Sequence, residues 1–207
     1  LPPEATAMLQ ALYSRSPNSV FEHLKKVETI GSDKFMANYY VGYGHASIGD
    51  CGSTTMFIEG VSMLAAKAIQ HSPLYRGQEA STRYMDFTEA NPVDSTNSTE
   101  GRAILDDWMK FYRESQEPLR EYLRAEYPIQ GGETEEVYTR AVNARAFDIL
   151  RGFLPAGSRT NLSWHTDIRH AADHLAWLEQ HPLMEVRVLA CDLREALNHR
   201  YPASFPS

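Results

Sequence analysis

Residues 70–87 read QHSPLYRGQEASTRYMDF, from Gln70 to Phe87. Glu79, Ser81, Arg83 and Tyr84 place an acid, a hydroxyl, a guanidinium and a phenol within a few residues of one another. Alternate side chains of an extended segment face the same side. An extended reading therefore lines up Glu79, Ser81 and Arg83 on one face. In that arrangement Arg83 can hold a phosphate and Ser81 can donate to it. The same residues also suit a surface turn with a local Glu–Arg pair, which is worth little in water.

The flanking chain is rich in helical signals. Pro2 and Pro3 suit a helix entry, with Met8, Leu9 and Leu12 as its buried stripe. A second helix is capped near Asn18 or Ser19, with Val20, Phe21, Leu24 and Val27 inward. A third starts at Ser32 and runs through Phe35, Met36 and Tyr39. Gly42-Tyr43-Gly44-His45 is a bend. Ser53–Ile58 carries β-branched and aromatic residues and reads as a strand. Val61–Ile69 is alanine-rich and reads as a helix that Pro73 ends.

Residues 90–99 form a polar loop. Beyond it Ile104, Leu105, Trp108, Phe111 and Tyr112 fall at helical spacing, and Pro118 restarts the helix. After Gly131-Gly132 a further helix turns Val137, Tyr138, Ala141, Val142, Ala146, Phe147 and Leu150 inward and ends before Pro155. Asn161–Trp164 suits an extended segment, and His165–Leu178 and Met184–Leu197 suit two helices. This pattern predicts an α+β (α/β) chain with a small sheet among helices, in a single domain over residues 1–207.

The composition is that of a globular chain, with 43% hydrophobic and 23% charged residues. Its net charge of -7 argues against non-specific nucleic-acid binding, which needs surplus positive charge. A pocket for a single nucleotide remains open, since two or three Arg or Lys suffice. No apolar run reaches the roughly 18 residues of a membrane span. Cys51 and Cys191 make no disulfide framework, so a reducing, cytoplasmic setting is expected. Residues upstream of Leu1, and any targeting signal in them, are not visible in this sequence. His170 and His174 sit at metal-compatible helical spacing, but no third ligand is evident, and no metal site is expected. Arg151, at the end of an apolar helix, suits the helix's negative end as well as a ligand.

Together these pieces resemble the flavin-dependent thymidylate synthases, the ThyX family. That family carries Arg-His-Arg, seven residues, then Ser, within a run ending Glu-x-Ser-x-Arg-Tyr. Glu79-Ala80-Ser81-Thr82-Arg83-Tyr84 matches the end of that run. Gly44-His45-Ala46-Ser47 is similar to the family's Gly-His-x-Ser/Thr loop, with Asp50 where Glu is usual. Arg151, Leu154-Pro155, Thr160, Trp164 and Arg169 fall at the family's spacing, and Glu185-Val186-Arg187 is similar to its closing helix. Blocks that agree in order are far more specific than one short motif.

The resemblance implies a sheet flanked by long helices and a homo-oligomer, a tetramer, with FAD between subunits. It implies methylation of dUMP to dTMP with methylenetetrahydrofolate, FAD and NADPH. By carry-over, His45, Ser47, His71, Glu79, Asp167 and Arg169 face FAD. Glu79, Ser81, Thr82, Arg83 and Arg151 hold the nucleotide, with Ser81 and Arg83 catalytic. The departures are specific: His71-Ser72-Pro73 replaces Arg-His-Arg, Asp167 replaces Asn, and Glu179 follows Leu178 where the family has Arg. They leave open a noncatalytic nucleotide-binding or scaffold member, completed by a partner subunit or domain. A metal-dependent hydrolase built on His170 and His174 is a third, weaker alternative.

Overall fold

The computed structural model describes residues 1–206. Helices α1 (Pro3–Tyr13), α2 (Val20–Ile30) and α3 (Asp33–Phe35) come first, and a π-helical turn, Met36–Gly42, follows. A 3-10 turn, Ala46–Cys51, leads into strand β1 (Ser53–Ser62) and α4 (Met63–Gln70). Then come α5 (Thr99–Glu114), α6 (Gln116–Glu126), α7 (Glu135–Leu150), β2 (Arg159–Asp167), α8 (Ile168–Leu178) and α9 (Met184–Arg200). The class is helices with a two-stranded sheet, as the sequence predicts. Among the described residues no helix is long and apolar enough to cross a membrane.

Caps set several boundaries. Ser19 accepts from the Phe21 N–H at 3.3 Å, Ser98 from Gly101 at 2.9 Å, and Asp167 from His170 at 2.9 Å. Such caps satisfy N–H groups that the first helical turn leaves bare.

Four expectations shift. Val61 and Ser62 belong to β1, which continues past the expected end at Ile58 through Gly60 at φ 68°. His165, Thr166 and Asp167 are strand rather than helix, because β2 keeps its alternation, with Thr160, Leu162, Trp164 and Thr166 buried. The helix expected from Ser32 divides, its later part widening into the π turn. Val20, Phe21, Val137 and Ala141 lie exposed, since α2 buries only His23 and Val27, and α7 buries Val142, Ala146 and Leu150.

The chain divides into two compact units. The first comprises Leu1–Phe57, Lys67–Gln78 and the chain from Ser163 onward. In it α1 packs on α2 through Ala5, Met8 and Val27, with Leu9, Leu12 and Phe35 around them. Helix α8 packs on α9, with Ile168, Ala171, Leu175, Leu178, Val186 and Ala190 all fully buried. Burial of each large aliphatic contributes about 1.5–3 kcal/mol. Just beyond the strand ends, the Ile168 N–H at the start of α8 donates to the Gly52 carbonyl at 2.9 Å.

The second unit comprises Ile58–Ala66 and Glu79–Leu162. Its core is Phe87, Met109, Tyr112 and Leu150, with Leu123, Val142 and Ala146 between α6 and α7. Met63 N–H donates to the Ser158 carbonyl at 3.0 Å, closing this end of the ladder.

Two expected outcomes arise from packing inside the first unit. A Cβ on Gly77 would lie 1.9 Å from the Ser163 carbonyl oxygen and 2.8 Å from the Tyr75 ring. Gly77→Ala therefore pushes the 76–78 segment off β2, and denaturant unfolding is expected to show a loss of about 1–3 kcal/mol. Glu4 is buried and accepts from the Ser204 hydroxyl. Burial raises its carboxyl pKa, against that bond, with Asp33 adding to the rise. The folded chain then holds the Glu4 proton more tightly than the unfolded one, so this group's contribution weakens as pH rises from the ordinary carboxylate range. Glu4→Gln is expected to raise Tm at neutral pH, and the gain to vanish near about pH 4.

Candidate functional site

In the second unit the candidate nucleotide residues begin where strand pairing stops. Glu79 bridges Leu162 antiparallel, and the Ala80 N–H donates to the Asn161 carbonyl at 2.8 Å. Beyond Ala80 the chain turns, with Tyr84 N–H donating to the Ser81 carbonyl at 3.1 Å. The expected extended face of Glu79, Ser81 and Arg83 therefore ends at Ser81. Thr82 and Arg83 lie in the turn, half-buried and exposed respectively. Tyr84 is 83% exposed.

The turn brings Arg83 to Arg151. Arg83 Nε lies 2.9 Å from Asp148 Oδ1, and Arg151 Nη2 lies 3.1 Å from the same oxygen. Asp148 occupies the last turn of α7, and Arg151 follows the helix directly, one turn on. Two guanidiniums thus share one carboxylate and leave a net positive charge. All three side chains are solvent-accessible, so the pairs add little stability, about 0–1 kcal/mol each. Being cheap to rearrange, they can yield donors to an incoming anion. A guanidinium has five donors in a planar fork, and a phosphate accepts two of them in parallel. Asp148 is the residue that sequence reading missed; its i,i+3 spacing to Arg151 was the available signal.

In the first unit the His45 loop meets the start of α8. Gly44 takes φ 67°, open to glycine, and delivers His45 and Ser47 into the 3-10 turn. Gly49 is pressed between Tyr40 and the Arg169 Cβ, where a Cβ of its own would meet the Tyr40 ring at 2.6 Å. Asp50 pairs with Arg169 at 2.7 Å. Two motif blocks remote in sequence are thereby joined. Burial, then Asp173, pushes the Tyr40 phenol up to about 12; Arg169 opposes this, and Asp167 and Asp50 reinforce it. At neutral pH Tyr40 is thus a proton donor in acidic surroundings.

His71, Ser72 and Pro73 line a cavity of about 410 Å³ with His170, Asp173, His174 and Trp177. His174 Nε2 lies 2.9 Å from the Ile69 carbonyl, which can only accept, so Nε2 carries the proton. Burial holds His174 below the usual imidazole range, with His170 and His71 acting in the same direction against its backbone bonds. Among the described residues no group of three or more His, Cys, Asp or Glu is arranged to hold a metal. Cys51 is half-buried, and burial, then Asp50 and Asp167, pushes its thiol up, away from nucleophile character.

The cofactor implied by the resemblance, FAD, carries a diphosphate. The residues of this unit do not fit it. Asp50, Asp167 and Asp173 surround Tyr40, the cation Arg169 is engaged by Asp50, and no Lys or Arg lines the His71 cavity. A diphosphate needs cations or bare N–H groups, and Asp167 already caps α8.

The sequence matches the family described as thymidylate synthase complementing protein over residues 3–203. A UPF0159 protein of Chlamydia muridarum is 31% identical over 161 residues, 70% of this chain and 30% of the relative. One from Chlamydia pneumoniae is 28% identical over 163 residues, 71% of this chain and again 30% of the relative. The chain thus spans 30% of the length of these curated relatives. Among solved structures, thymidylate synthase X from Helicobacter pylori with FAD and dUMP shares the fold at a TM-score of 0.56 and 16% identity. That match covers 99% of this chain and 93% of the other.

Proposed function

The chain belongs to the thymidylate synthase complementing protein family, and on that basis we propose that it is a flavin-dependent thymidylate synthase-like protein that holds dUMP in its second unit. The convergence of Arg83 and Arg151 on Asp148 carries this reading. The nucleotide phosphate takes the guanidinium forks, and Asp148 keeps both arginines in place until it arrives. Ser81 and Thr82 add hydroxyl donors at the turn, and Glu79 accepts from a base N–H. The family's full reaction turns dUMP into dTMP with methylenetetrahydrofolate, FAD and NADPH in a homo-oligomer; since Arg169 is engaged by Asp50 and no Lys or Arg lines the His71 cavity, the cations for a flavin diphosphate would have to come from elsewhere in the assembly. The Helicobacter pylori protein of the same fold was solved with FAD and dUMP, which supports the choice of nucleotide.

A second reading is favoured by the acids around Tyr40 and by His71-Ser72-Pro73. Here the chain binds the nucleotide and a partner subunit or domain supplies the cations for the flavin. The extra length of the chlamydial relatives gives such a domain room. The visible absorption spectrum of purified protein and a dUMP titration separate the two. A copurifying yellow chromophore with dUMP-dependent NADPH oxidation supports the complete enzyme. Colourless protein that binds dUMP supports the second reading. Colourless protein without dUMP binding overturns both.

A further inference from the structure

A cavity of about 380 Å³ lies between the end of α6 and the first half of α7, wholly within the second unit. Leu123 and Val142, both buried, form its apolar floor. Tyr127 and Tyr138 stand beside them, and the Tyr138 hydroxyl donates to the Tyr127 carbonyl at 2.9 Å, which fixes α7 against the end of α6. The Arg145 guanidinium lies over the Tyr127 ring, 4.4 Å from its centroid, and donates to the Tyr127 hydroxyl at 3.1 Å. It is therefore held in position, yet it pairs with no carboxylate among the described residues. Glu126, in the last turn of α6, lines the same cavity, and its carboxylate makes no hydrogen bond or ion pair among the described residues. The other acid of the lining, Glu133, is engaged by the Gln130 N–H at 2.9 Å.

We propose that this cavity binds a free apolar α-amino acid, because an unpaired guanidinium and an unpaired carboxylate line it beside an apolar floor without neutralising each other. The ligand carboxylate takes the open fork of Arg145, which Tyr127 orients. The ligand ammonium meets Glu126, and the C-terminus of α6 adds the negative end of its helix dipole. The ligand side chain lies on Leu123, Val142 and Tyr138, where removing apolar surface from water is favourable. A simple anion would face Glu126 and a simple amine would face Arg145. A ligand carrying both charges on neighbouring groups satisfies both. The volume falls at the small end of ligand sites, which run from about 300 to 1,000 Å³. The inference does not rest on the nucleotide reading and shares none of its residues.

Equilibrium dialysis of the full chain against L-phenylalanine is the test. Saturable binding is expected. N-acetyl-L-phenylalanine lacks the ammonium and L-phenylalaninamide lacks the carboxylate, and neither displaces the amino acid. Glu126→Gln keeps the size of an exposed side chain that has no partner, so it leaves folding intact and weakens binding by about 10- to 100-fold. Arg145→Lys keeps the charge, loses the planar fork and also weakens it. Saturating dUMP leaves phenylalanine bound. Absence of saturable binding, displacement by either derivative or by dUMP, or an unchanged affinity in Glu126→Gln overturns the proposal. Absence of dUMP binding with phenylalanine binding intact overturns only the nucleotide reading.

Discussion

Arg83→Ala is expected to weaken dUMP binding by about 10- to 100-fold, as lost hydrogen bonds to a charged phosphate cost roughly 1.5–3 kcal/mol. Its thermal stability should stay close to that of the parent, because the side chain is solvent-accessible and its Asp148 pair is worth little. Isothermal titration and a melting curve on the same sample check both halves. Arg151→Ala should behave alike. The double variant should lose less than the sum, because the two arginines share Asp148 Oδ1 and removing either leaves that carboxylate wholly to the other. Deoxyuridine, which lacks only the phosphate, should bind the parent and Arg83→Ala equally. An unchanged dUMP affinity in Arg83→Ala would contradict the site assignment at this turn.

Trp164→Ala is expected to cost about 3–5 kcal/mol. Trp164 is 1% exposed on the inward face of β2 and meets His174 edge-on. Removing the indole leaves a cavity beneath the α8 helix and releases the His174 ring it steadies. For a chain of this size such a loss lowers Tm by roughly 6–20 °C. Trp177→Ala, at a half-exposed position, should change Tm far less. A Trp164→Ala protein that melts with the parent would mean that β2 does not pack as described.

Much of the fold was legible because caps and alternation are local signals. Ser19 and the proline entry at Pro3 mark their helices correctly. The end of β2 was not, because Asp167 both closes the strand and caps α8, and a cap was read as a residue inside a longer helix. The exposure of Val20 and Phe21 was hidden for another reason: α1 covers only the His23–Val27 stripe of α2, and helical spacing cannot say how wide a partner is. At the site, the motif ending in Arg83 was readable by likeness, but its geometry was not. Pairing with β2 stops at Ala80, a long-range event that no local pattern encodes. Nothing local distinguishes Asp148 from an ordinary helix-surface acid; the Ser81–Tyr84 turn is what brings Arg83 to it.

The π turn at Met36–Gly42 has a consequence for length variation. Tyr43 N–H reaches back five residues to the Asn38 carbonyl, where an α-helix reaches back four. One residue there is surplus to ordinary helical winding. A single-residue deletion between Asn38 and Tyr43 can therefore be absorbed by tightening to α pitch, leaving α1 and α2 folded. The exit of the turn keeps its direction, and the cost falls inside it. Deleting Val41, for example, brings Tyr39 and Tyr43, whose ring centroids lie 5.8 Å apart, from four residues of separation to three, and the aromatic row leading to His45 is re-spaced.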